Sequence, residues 1–333
     1  MKAKKSSRIY MEDRTKLETV IPLEQPFVVF VDPASICNFQ CQFCANGDRD
    51  LIAKTGRTQG VMNIDLFKKL VDELAALPIK TKVLRLYKEG EPLMNPKLPE
   101  MISYAKQSGT FESIDFTSNG SLLTPEKSRA LVEAGLDRIN ISVEALSSEK
   151  YKSIANVNLN FDQYVENIKY FYENRKQFTV FIKTIGNYLA KEEEQFFYDT
   201  FGNISDLIAV ENLAPCWPAY DMSAFEEDFK CGIYGQEKKS VEVCPYLFYT
   251  ITVNVDGSVS ACYLDWEHKL IVGNITDNSF IDIWQGNNMQ ELRKIHLRKK
   301  RGENAVCHNC GQLTYGAPDN IDQFAGVLLE KIQ

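Results

Sequence analysis

Short apolar runs alternate with segments of helical periodicity from residue 27 to about residue 210. The apolar runs predict six strands, at 27–32, 82–87, 112–117, 137–142, 178–185 and 206–211. Between these strands, apolar residues recur at spacings of three and four, which predicts amphipathic helices. Six strand–helix units predict a parallel sheet with right-handed crossovers. Because a closed (β/α)8 barrel needs eight such units, the pattern predicts an α/β fold with a partial (β/α)6 barrel.

Capping residues mark the ends of three of these helices. Asparagine, threonine and proline favour the first turn of a helix, and glycine favours the position just past its end. The predicted starts are Asn63, Asn95-Pro96 and Thr124-Pro125, and the predicted ends of the last two helices are Gly109 and Gly135.

The pattern changes after the sixth strand. Residues 212–243 have no clear period and predict a linker across the mouth of the barrel. Two β-rich runs, 249–255 and 258–263, flank Asp256-Gly257, which predicts a β-hairpin with a type I′ turn. A helix is predicted from about Ile281 to Arg298, with Trp284, Met289, Leu292 and Ile295 as its inner face. The predicted parts are an N-terminal extension (1–26), the partial barrel (27–235) and a small hairpin-plus-helix domain (236–333).

Composition narrows the function classes. The chain has 333 residues, 44% of them hydrophobic and 25% charged, with a net charge of −7. An acidic chain argues against nucleic acid as a partner, since phosphate binding needs a basic face. No apolar run reaches the length of a membrane span, and residues 1–26 contain no apolar core of a secretory signal. Nine cysteines in such a chain predict metal ligation in a reducing cytoplasm rather than disulfides.

Three of the cysteines form a compact motif directly after the first strand. Cys37, Cys41 and Cys44 have the spacing C-x3-C-x2-C. A structural zinc site needs four protein ligands, whereas this loop offers three. Three thiolates on one short loop suit a [4Fe–4S] cluster whose fourth iron is left for a substrate or cosubstrate. A chance spacing or a zinc site is the alternative.

Four further cysteines form a second set. They are Cys244, Cys262, Cys307 and Cys310, with the spacing C-x17-C-x44-C-x2-C. Four ligands permit a fully ligated site, and the residues alone fit a zinc ribbon as well as an iron–sulfur cluster. Cys216 and Cys231 belong to neither set and fit buried small hydrophobic positions. The three histidines form no cluster along the sequence.

The first cysteine loop resembles the cluster loop of the radical S-adenosylmethionine (radical SAM) superfamily. In that family three cysteines hold the cluster, SAM chelates the open iron, and an aromatic residue precedes the third cysteine, as Phe43 does here. The resemblance implies a partial (β/α)6 barrel and a [4Fe–4S] cluster with SAM as cofactors. It also implies an electron donor such as a flavodoxin or a ferredoxin.

The same resemblance implies SAM contacts at successive strand ends, where parallel α/β folds place their sites. Gly90, Glu91 and Pro92 resemble the family's Gly-Gly-Glu-Pro element for the SAM ammonium, with Glu89 in place of the first glycine. The other implied contacts are Ser118 and Asn119 for the methionine or ribose part, Ser142 and Glu144 for the ribose, and Lys183 for the carboxylate. Taken one at a time, these residues also fit a turn, strand-end polar positions and a solvated lysine.

The second set resembles the SPASM/Twitch group of auxiliary-cluster domains within that superfamily. The resemblance rests on the hairpin, the segment Ile283-Trp284-Gln285-Gly286 and the terminal C-x2-C. Because no cysteine follows Cys310, the match is to the shorter Twitch form, which implies one additional [4Fe–4S] cluster.

The resemblance implies a radical SAM enzyme that abstracts hydrogen from a small molecule. We expect a sugar or aminocyclitol whose secondary alcohol is oxidised to a ketone, with the auxiliary cluster accepting an electron. Epimerisation with Cys216 as hydrogen donor is one alternative. Peptide modification is another, although 26 residues before the first strand are too few for a peptide-recognition domain. A structural or redox-sensing protein would leave the open three-cysteine site unexplained.

Overall fold

A computed structural model describes residues 1–7, 14–316 and 319–332. The predicted N-terminal extension therefore includes residues 8–13, which lie outside the described residues. The strands are β1 (Lys4–Lys5), β2 (Val28–Val31), β3 (Thr81–Arg85), β4 (Phe111–Ser118), β5 (Arg138–Val143), β6 (Thr179–Ile185), β7 (Leu207–Glu211), β8 (Thr250–Val253), β9 (Ser258–Ser260) and β10 (Ile271–Asn274). The helices are α1 (Leu17–Val20), α2 (Arg49–Thr55), α3 (Ile64–Ala75), α4 (Leu98–Ser108), α5 (Pro125–Ala134), α6 (Ser148–Ala155), α7 (Phe161–Glu173), α8 (Lys191–Phe201), α9 (Phe280–Gln285), α10 (Asn287–Leu297), α11 (Ala305–His308), α12 (Gln312–Tyr315) and α13 (Ala325–Lys331).

The six predicted strands form the parallel centre of the sheet. Their order is β2-β3-β4-β5-β6-β7, so consecutive strands are neighbours, as the partial-barrel prediction requires. Many of their apolar residues are fully buried, for example Val29, Leu84, Ile114 and Ile139. Strands buried on both faces read as near-continuous apolar runs, which explains why the sequence pattern located them.

Four further strands, which were not predicted as parts of this sheet, extend it to ten strands. The first, β1, pairs in parallel with β7, at one end of the strand order. At the other edge, β8 of the hairpin pairs in parallel with β2, with Val28 opposite Thr250 and Val31 opposite Val253. Strand β10 extends the hairpin by pairing with β9. The hairpin is therefore continuous with the barrel sheet rather than a separate layer.

The helix caps agree with two of the three predicted starts. Asn63 caps α3 and Thr124 caps α5, each through its side chain, and Gly109 and Gly135 are the left-handed C-caps of α4 and α5. The start of α4 was predicted wrongly, because the helix begins at Leu98 rather than at Asn95-Pro96. The buried Asn95 side chain instead donates to the carbonyl oxygens of Pro33 (2.9 Å) and Met62 (3.1 Å).

Two details of the C-terminal part also differ from the prediction. The hairpin turn is not type I′, because Gly257 has a positive φ of 84° and Asp256 does not. The N–H of Gly257 donates to Asn254 (3.0 Å), which is the hydrogen bond of a type I turn followed by a left-handed glycine. The second hairpin strand ends at Ser260, before Tyr263. The predicted helix from Ile281 to Arg298 is two helices, because Gly286 adopts an extended conformation between α9 and α10.

One large apolar core joins the sheet and its helices. Trp284, Met289 and Leu292 of the C-terminal helices belong to it, as the periodicity predicted, whereas Ile295 is only partly buried. Among the described residues, no helix combines the length and apolar character that crossing a bilayer requires.

Candidate active site

The first cysteine loop lies against the last turn of α6. The N–H groups of Gln40 and Gln42 donate to the carbonyl oxygens of Ala155 (2.9 Å) and Ile154 (3.1 Å). A Cβ atom at Gly47 would lie 2.3 Å from the Cys41 carbonyl oxygen, so the loop closes tightly on itself. These contacts hold the loop at the carboxyl ends of the barrel strands, where parallel α/β folds place their sites.

The three thiols of this loop influence one another. Burial, together with the nearby Glu91 and Cys44, raises the pKa of Cys37 to about 12. Burial also raises the pKa of Cys41, and Glu144, Cys44 and Cys37 add to the shift. Two donors approach the Cys37 sulfur, the Phe39 N–H at 3.4 Å and the Asn119 side-chain amide at 3.9 Å. Grouped thiols of this kind ionise when a cation binds them, because the cation reverses the local electrostatics.

The Gly90-Glu91 motif lies directly beside the cysteine loop. A Cβ atom at Gly90 would lie 2.2 Å from the carbonyl oxygens of both Ala34 and Ile36, so only glycine fits there. The Glu91 N–H donates to the Ile36 carbonyl (2.9 Å). The buried Pro92 follows as the first residue of a short 3-10 turn.

The Glu91 carboxylate links this motif to the end of β4. It accepts hydrogen bonds from the Leu93 N–H (2.9 Å), the Ser118 hydroxyl (2.8 Å) and the Asn119 N–H (2.7 Å). Burial raises the pKa of Glu91, and these three donors oppose the shift. A carboxylate offers about four acceptor sites, so one remains for a further donor.

The ends of β5, β6 and β7 bring a second charged group to the same cavity. Lys183 Nζ lies 2.9 Å from Glu211 Oε2, and both side chains are largely buried. Burial raises the pKa of Glu144, Lys183 opposes the shift, and Glu211 adds to it. Ser142 is nearly buried beside them.

The predicted site residues, apart from Pro92 and the second cysteine set, line one cavity of about 840 Å³, a volume typical of small-molecule sites. Aromatic side chains form part of its wall, with the rings of Phe30 and Tyr263 stacked at 4.9 Å. The predicted site residues on the wall are Cys37, Cys41, Phe43, Cys44, Gly90, Glu91, Ser118, Asn119, Ser142, Glu144, Lys183 and Cys216.

The second cysteine set gathers behind one wall of this cavity. Burial raises the pKa of Cys244, and the neighbouring Cys310 and Cys307 add to the shift. Burial also raises the pKa of Cys262, and Cys244 and Cys310 add to the shift. In the described part of the chain, none of the four lines the cavity, whereas the adjacent Tyr263 does.

Cys216 lies between the cavity and the second set. Its side chain is 8% exposed and lines the cavity. The preceding Pro215 carbonyl lies so close to Gly311 that a Cβ atom there would be 2.1 Å away. This contact fixes the linker against the residue that follows Cys310.

Sequence reasoning missed two groups of charged residues. Glu211 ends β7 and lines the cavity, and the strand-end argument used for the earlier strands would have found it. The second group surrounds Glu89, whose carboxylate pairs with Arg57, Lys88 and His268. No sequence signal indicated that group, because its members are spread along the chain from Arg57 to His268.

The two sets of thiols suit iron–sulfur clusters, which bind through cysteine thiolates. Within the described residues, no three His, Cys, Asp or Glu side chains are arranged to ligate one ion. A zinc ion draws its ligands to about 2.3 Å from one point, whereas a cluster binds each sulfur to a separate iron. Three partly buried thiols facing a cavity and four grouped thiols behind it therefore suit two clusters, one of them open to a small molecule.

Comparison with known families identifies the class of protein that this fold and site define. Residues 31–196 match the radical SAM superfamily, and the chain belongs to it. Residues 244–311 match the SPASM iron-sulfur cluster-binding domain, which makes this a radical SAM enzyme with an auxiliary-cluster domain. Its cofactors are a [4Fe–4S] cluster with S-adenosylmethionine and an auxiliary cluster.

Two curated relatives show how far the similarity extends. The S-adenosyl-L-methionine-dependent 2-deoxy-scyllo-inosamine dehydrogenase of Niallia circulans is 21% identical over 295 residues, which cover 89% of this chain and 96% of the relative. The GTP 3′,8-cyclase of Chlorobaculum tepidum is 36% identical over 120 residues. That match spans only 36% of this chain and 33% of the cyclase.

Solved structures support the fold. The structure of BtrN in complex with AdoMet and 2-DOIA matches with a TM-score of 0.55 at 18% identity, over 88% of this chain and 96% of that one. Streptococcus suis SuiB bound to S-adenosylmethionine matches with a TM-score of 0.62 at 16% identity, over 90% of this chain and 74% of that one.

Proposed function

We propose that this enzyme oxidises a secondary alcohol of a sugar or aminocyclitol to a ketone. The observation that carries the proposal is the similarity to the 2-deoxy-scyllo-inosamine dehydrogenase across nearly the full length of both chains. The cavity supports it, because its volume suits a small ring and its wall combines aromatic faces with charged groups.

The three cysteines 37, 41 and 44 would hold the first cluster, and Cys244, Cys262, Cys307 and Cys310 would hold the second. When bound, the first cluster and SAM supply a 5′-deoxyadenosyl radical that takes a hydrogen atom, and the second cluster supplies an acceptor for the remaining electron. The protein contributes positioning and exclusion of water.

In this proposal the chain's own residues orient SAM and the substrate. The remaining acceptor site of Glu91 takes the SAM ammonium, while Ser118, Asn119, Ser142 and Glu144 hold its methionine and ribose parts. Lys183 contacts the SAM carboxylate, and Phe43 packs beside the cluster. Ketone formation also releases the hydroxyl proton, and we assign its acceptance to the Glu211 carboxylate on the cavity wall.

The experiment is an anaerobic reaction with a flavodoxin or ferredoxin as electron donor and a panel of sugars and aminocyclitols. A product lighter by two hydrogens, one equivalent of 5′-deoxyadenosine and deuterium transfer from the alcohol carbon would support oxidation. A panel that yields 5′-deoxyadenosine with no ketone would contradict it.

Epimerisation of a carbohydrate is the second candidate, because the Cys216 thiol lines the cavity and could return a hydrogen atom. The two functions respond differently to Cys216→Ala. An oxidase keeps substantial ketone formation, with Cys231→Ala as the matched control. An epimerase loses turnover while SAM cleavage continues, and its wild-type product has unchanged mass plus one deuterium from solvent.

A further inference from the structure

A buried charge network joins the Gly90-Glu91 motif to the C-terminal part of the chain. The side chains of Arg57 and Lys88 are fully buried, that of Glu89 is 1% exposed and that of His268 is 9% exposed. The Glu89 carboxylate contacts Arg57 Nη1, Lys88 Nζ (2.8 Å) and His268 Nε2 (2.9 Å). Burial raises its pKa, but Lys88, His268 and Arg57 outweigh burial and lower the pKa of Glu89 to about 2.

Both cations of the network also contact the hairpin and the loop that follows it. Arg57 Nη1 donates to the Trp266 carbonyl (3.1 Å). Lys88 Nζ donates to the Asn254 side chain (2.7 Å) and to the Asp265 carbonyl (3.1 Å). The network therefore spans the seam between the two matched family regions, at several points rather than at one.

The loop that receives these contacts carries Cys262. The Asp265 N–H donates to the Cys262 carbonyl (3.2 Å), and the Leu264 N–H donates to the Cys262 sulfur (3.4 Å). The buried Asp265 carboxylate closes the loop by accepting from Ser260 (2.9 Å) and Leu270 (2.9 Å). Within this loop His268 has a left-handed φ of 57°, a conformation that its contact with Glu89 helps to hold.

At its other end the network continues through the backbone into the Gly90-Glu91 motif. Glu89 precedes Gly90, which is pressed against Ala34 and Ile36, and Glu91 is bonded to Ile36. Because Gly90 has no room to move toward the cysteine loop, a shift of Glu89 is passed to Glu91.

We propose that Glu89 is a positioning residue that couples the two cofactor sites of this enzyme. Cluster binding at the second cysteine set holds the Cys262 loop, and Glu89 then holds Glu91 where SAM binds. Since coupling between two binding sites is reciprocal, SAM also strengthens cluster retention at the second set. The inference rests on the ligand assignments of the proposed function but not on its substrate.

The test measures the SAM dissociation constant anaerobically, without substrate, in four proteins. These are the wild type, Cys307→Ala, His268→Ala and the double variant. We expect Cys307→Ala to weaken SAM binding about tenfold, within the range of roughly 5- to 150-fold typical of coupled sites. We expect a similar loss in fully loaded His268→Ala and little further loss in the double variant.

Two further variants separate positioning from general damage. In His268→Gln, the amide can still donate to Glu89 and should restore most of the affinity. Lys269→Ala alters the next residue of the same loop, whose side chain is 59% exposed and pairs with Glu267, and should leave affinity unchanged. Iron analysis and the unfolding midpoint verify that each variant keeps its first cluster and its fold.

Equal SAM affinity in wild type and Cys307→Ala would overturn the coupling. If the loss of SAM affinity in the double variant equals the product of the two single losses, the two changes act independently. That result would overturn the role of the Glu89 contact. If Cys307→Ala does not fold, the two His268 variants decide. His268→Ala and His268→Gln with the same affinity for SAM would overturn the proposal. Wild-type protein that binds no SAM would instead refute the ligand assignments, and a substrate other than a sugar would leave this test unaffected.

Discussion

The two cysteine groups are built in opposite ways. The first comes from one loop of the chain, residues 37–44, and faces a cavity of about 840 Å³. The second is gathered from the start of the hairpin, its far end and the helices near residue 310, and it lies behind the cavity wall. A loop ligates from one side only and leaves a cluster open on the other, whereas ligands from several directions enclose it. Local and non-local assembly thus separate a cysteine group that is open to a small molecule from one that is enclosed by the chain.

Removing the first group should have the largest effect. We expect the triple change Cys37→Ala, Cys41→Ala and Cys44→Ala to abolish SAM cleavage, because no other loop offers an open iron. Iron content should fall from about eight to about four per chain, since each cubane cluster contains four irons. Anaerobic iron analysis and 5′-deoxyadenosine formation check this, with Cys231→Ala as control. Undiminished iron in the triple variant, or zinc in the second group, would refute the contrast.

Removing a ligand of the second group should separate SAM cleavage from ketone formation. At saturating SAM we expect Cys310→Ala to keep forming 5′-deoxyadenosine but to lose ketone product below detection, because the remaining electron lacks its acceptor. Product mass and 5′-deoxyadenosine are measured in the same anaerobic sample. Ketone formation at the wild-type rate would show that the second group is structural.

A change in the Gly90-Glu91 motif should give an intermediate effect, which is measured at the open site. Glu91→Ala removes a charge-assisted hydrogen bond worth roughly 1.5–3 kcal/mol, so SAM affinity should fall about ten- to a hundredfold. Equilibrium binding measures the change, and Glu100→Ala, a half-exposed carboxylate on α4 that pairs with Lys68 and Lys97, serves as control. Unchanged affinity would mean that Glu91 serves only its three internal donors.

A final effect concerns the stability of the fold, rather than the reaction, at the seam between the two regions. Burial, assisted by Glu89, raises the pKa of Asp32 from 3.8 to about 7. A carboxyl with a raised pKa supports folding fully below its unfolded pKa and loses that support as pH rises through about 7. Asp32→Asn should therefore stabilise the protein at pH 8, on the order of 3 kcal/mol, and progressively less toward pH 5.

Denaturant midpoints at both pH values, under anaerobic conditions, test this expectation. The exposed Asp199→Asn serves as control. A gain that does not depend on pH would indicate that the charge of Asp32 is not the cause.

The barrel strands and most helix caps could be predicted because their signals are local. The run 27–31 is apolar throughout because β2 is covered on both faces, and Asn63 and Thr124 cap helices through their own side chains. The type of the turn at Gly257 was predicted wrongly and the break at Gly286 was missed, because several backbone conformations share one residue pattern. Cysteine spacing favoured a cluster only for the first loop, the resemblance to known families implied both clusters, and the comparisons confirm the two families.

Contacts between distant segments could not be predicted. Glu89 was noted as a departure from a glycine, but its partner His268 lies 179 residues further along the chain. The same holds for the pairing of β8 with β2, because nothing in a hairpin sequence says which strand edge it will join. Such contacts depend on packing and on the pairing of buried charge, which only the assembled structure displays.

The pairing of β8 with β2 has a consequence for handling the protein. A chain cut before residue 244 would leave β2 as an edge strand, with its apolar side chains and a row of unpaired N–H and C=O groups open to solvent. Such an edge recruits strands from other molecules. The excised barrel should therefore self-associate into insoluble material even though it keeps all three cysteines of the first loop.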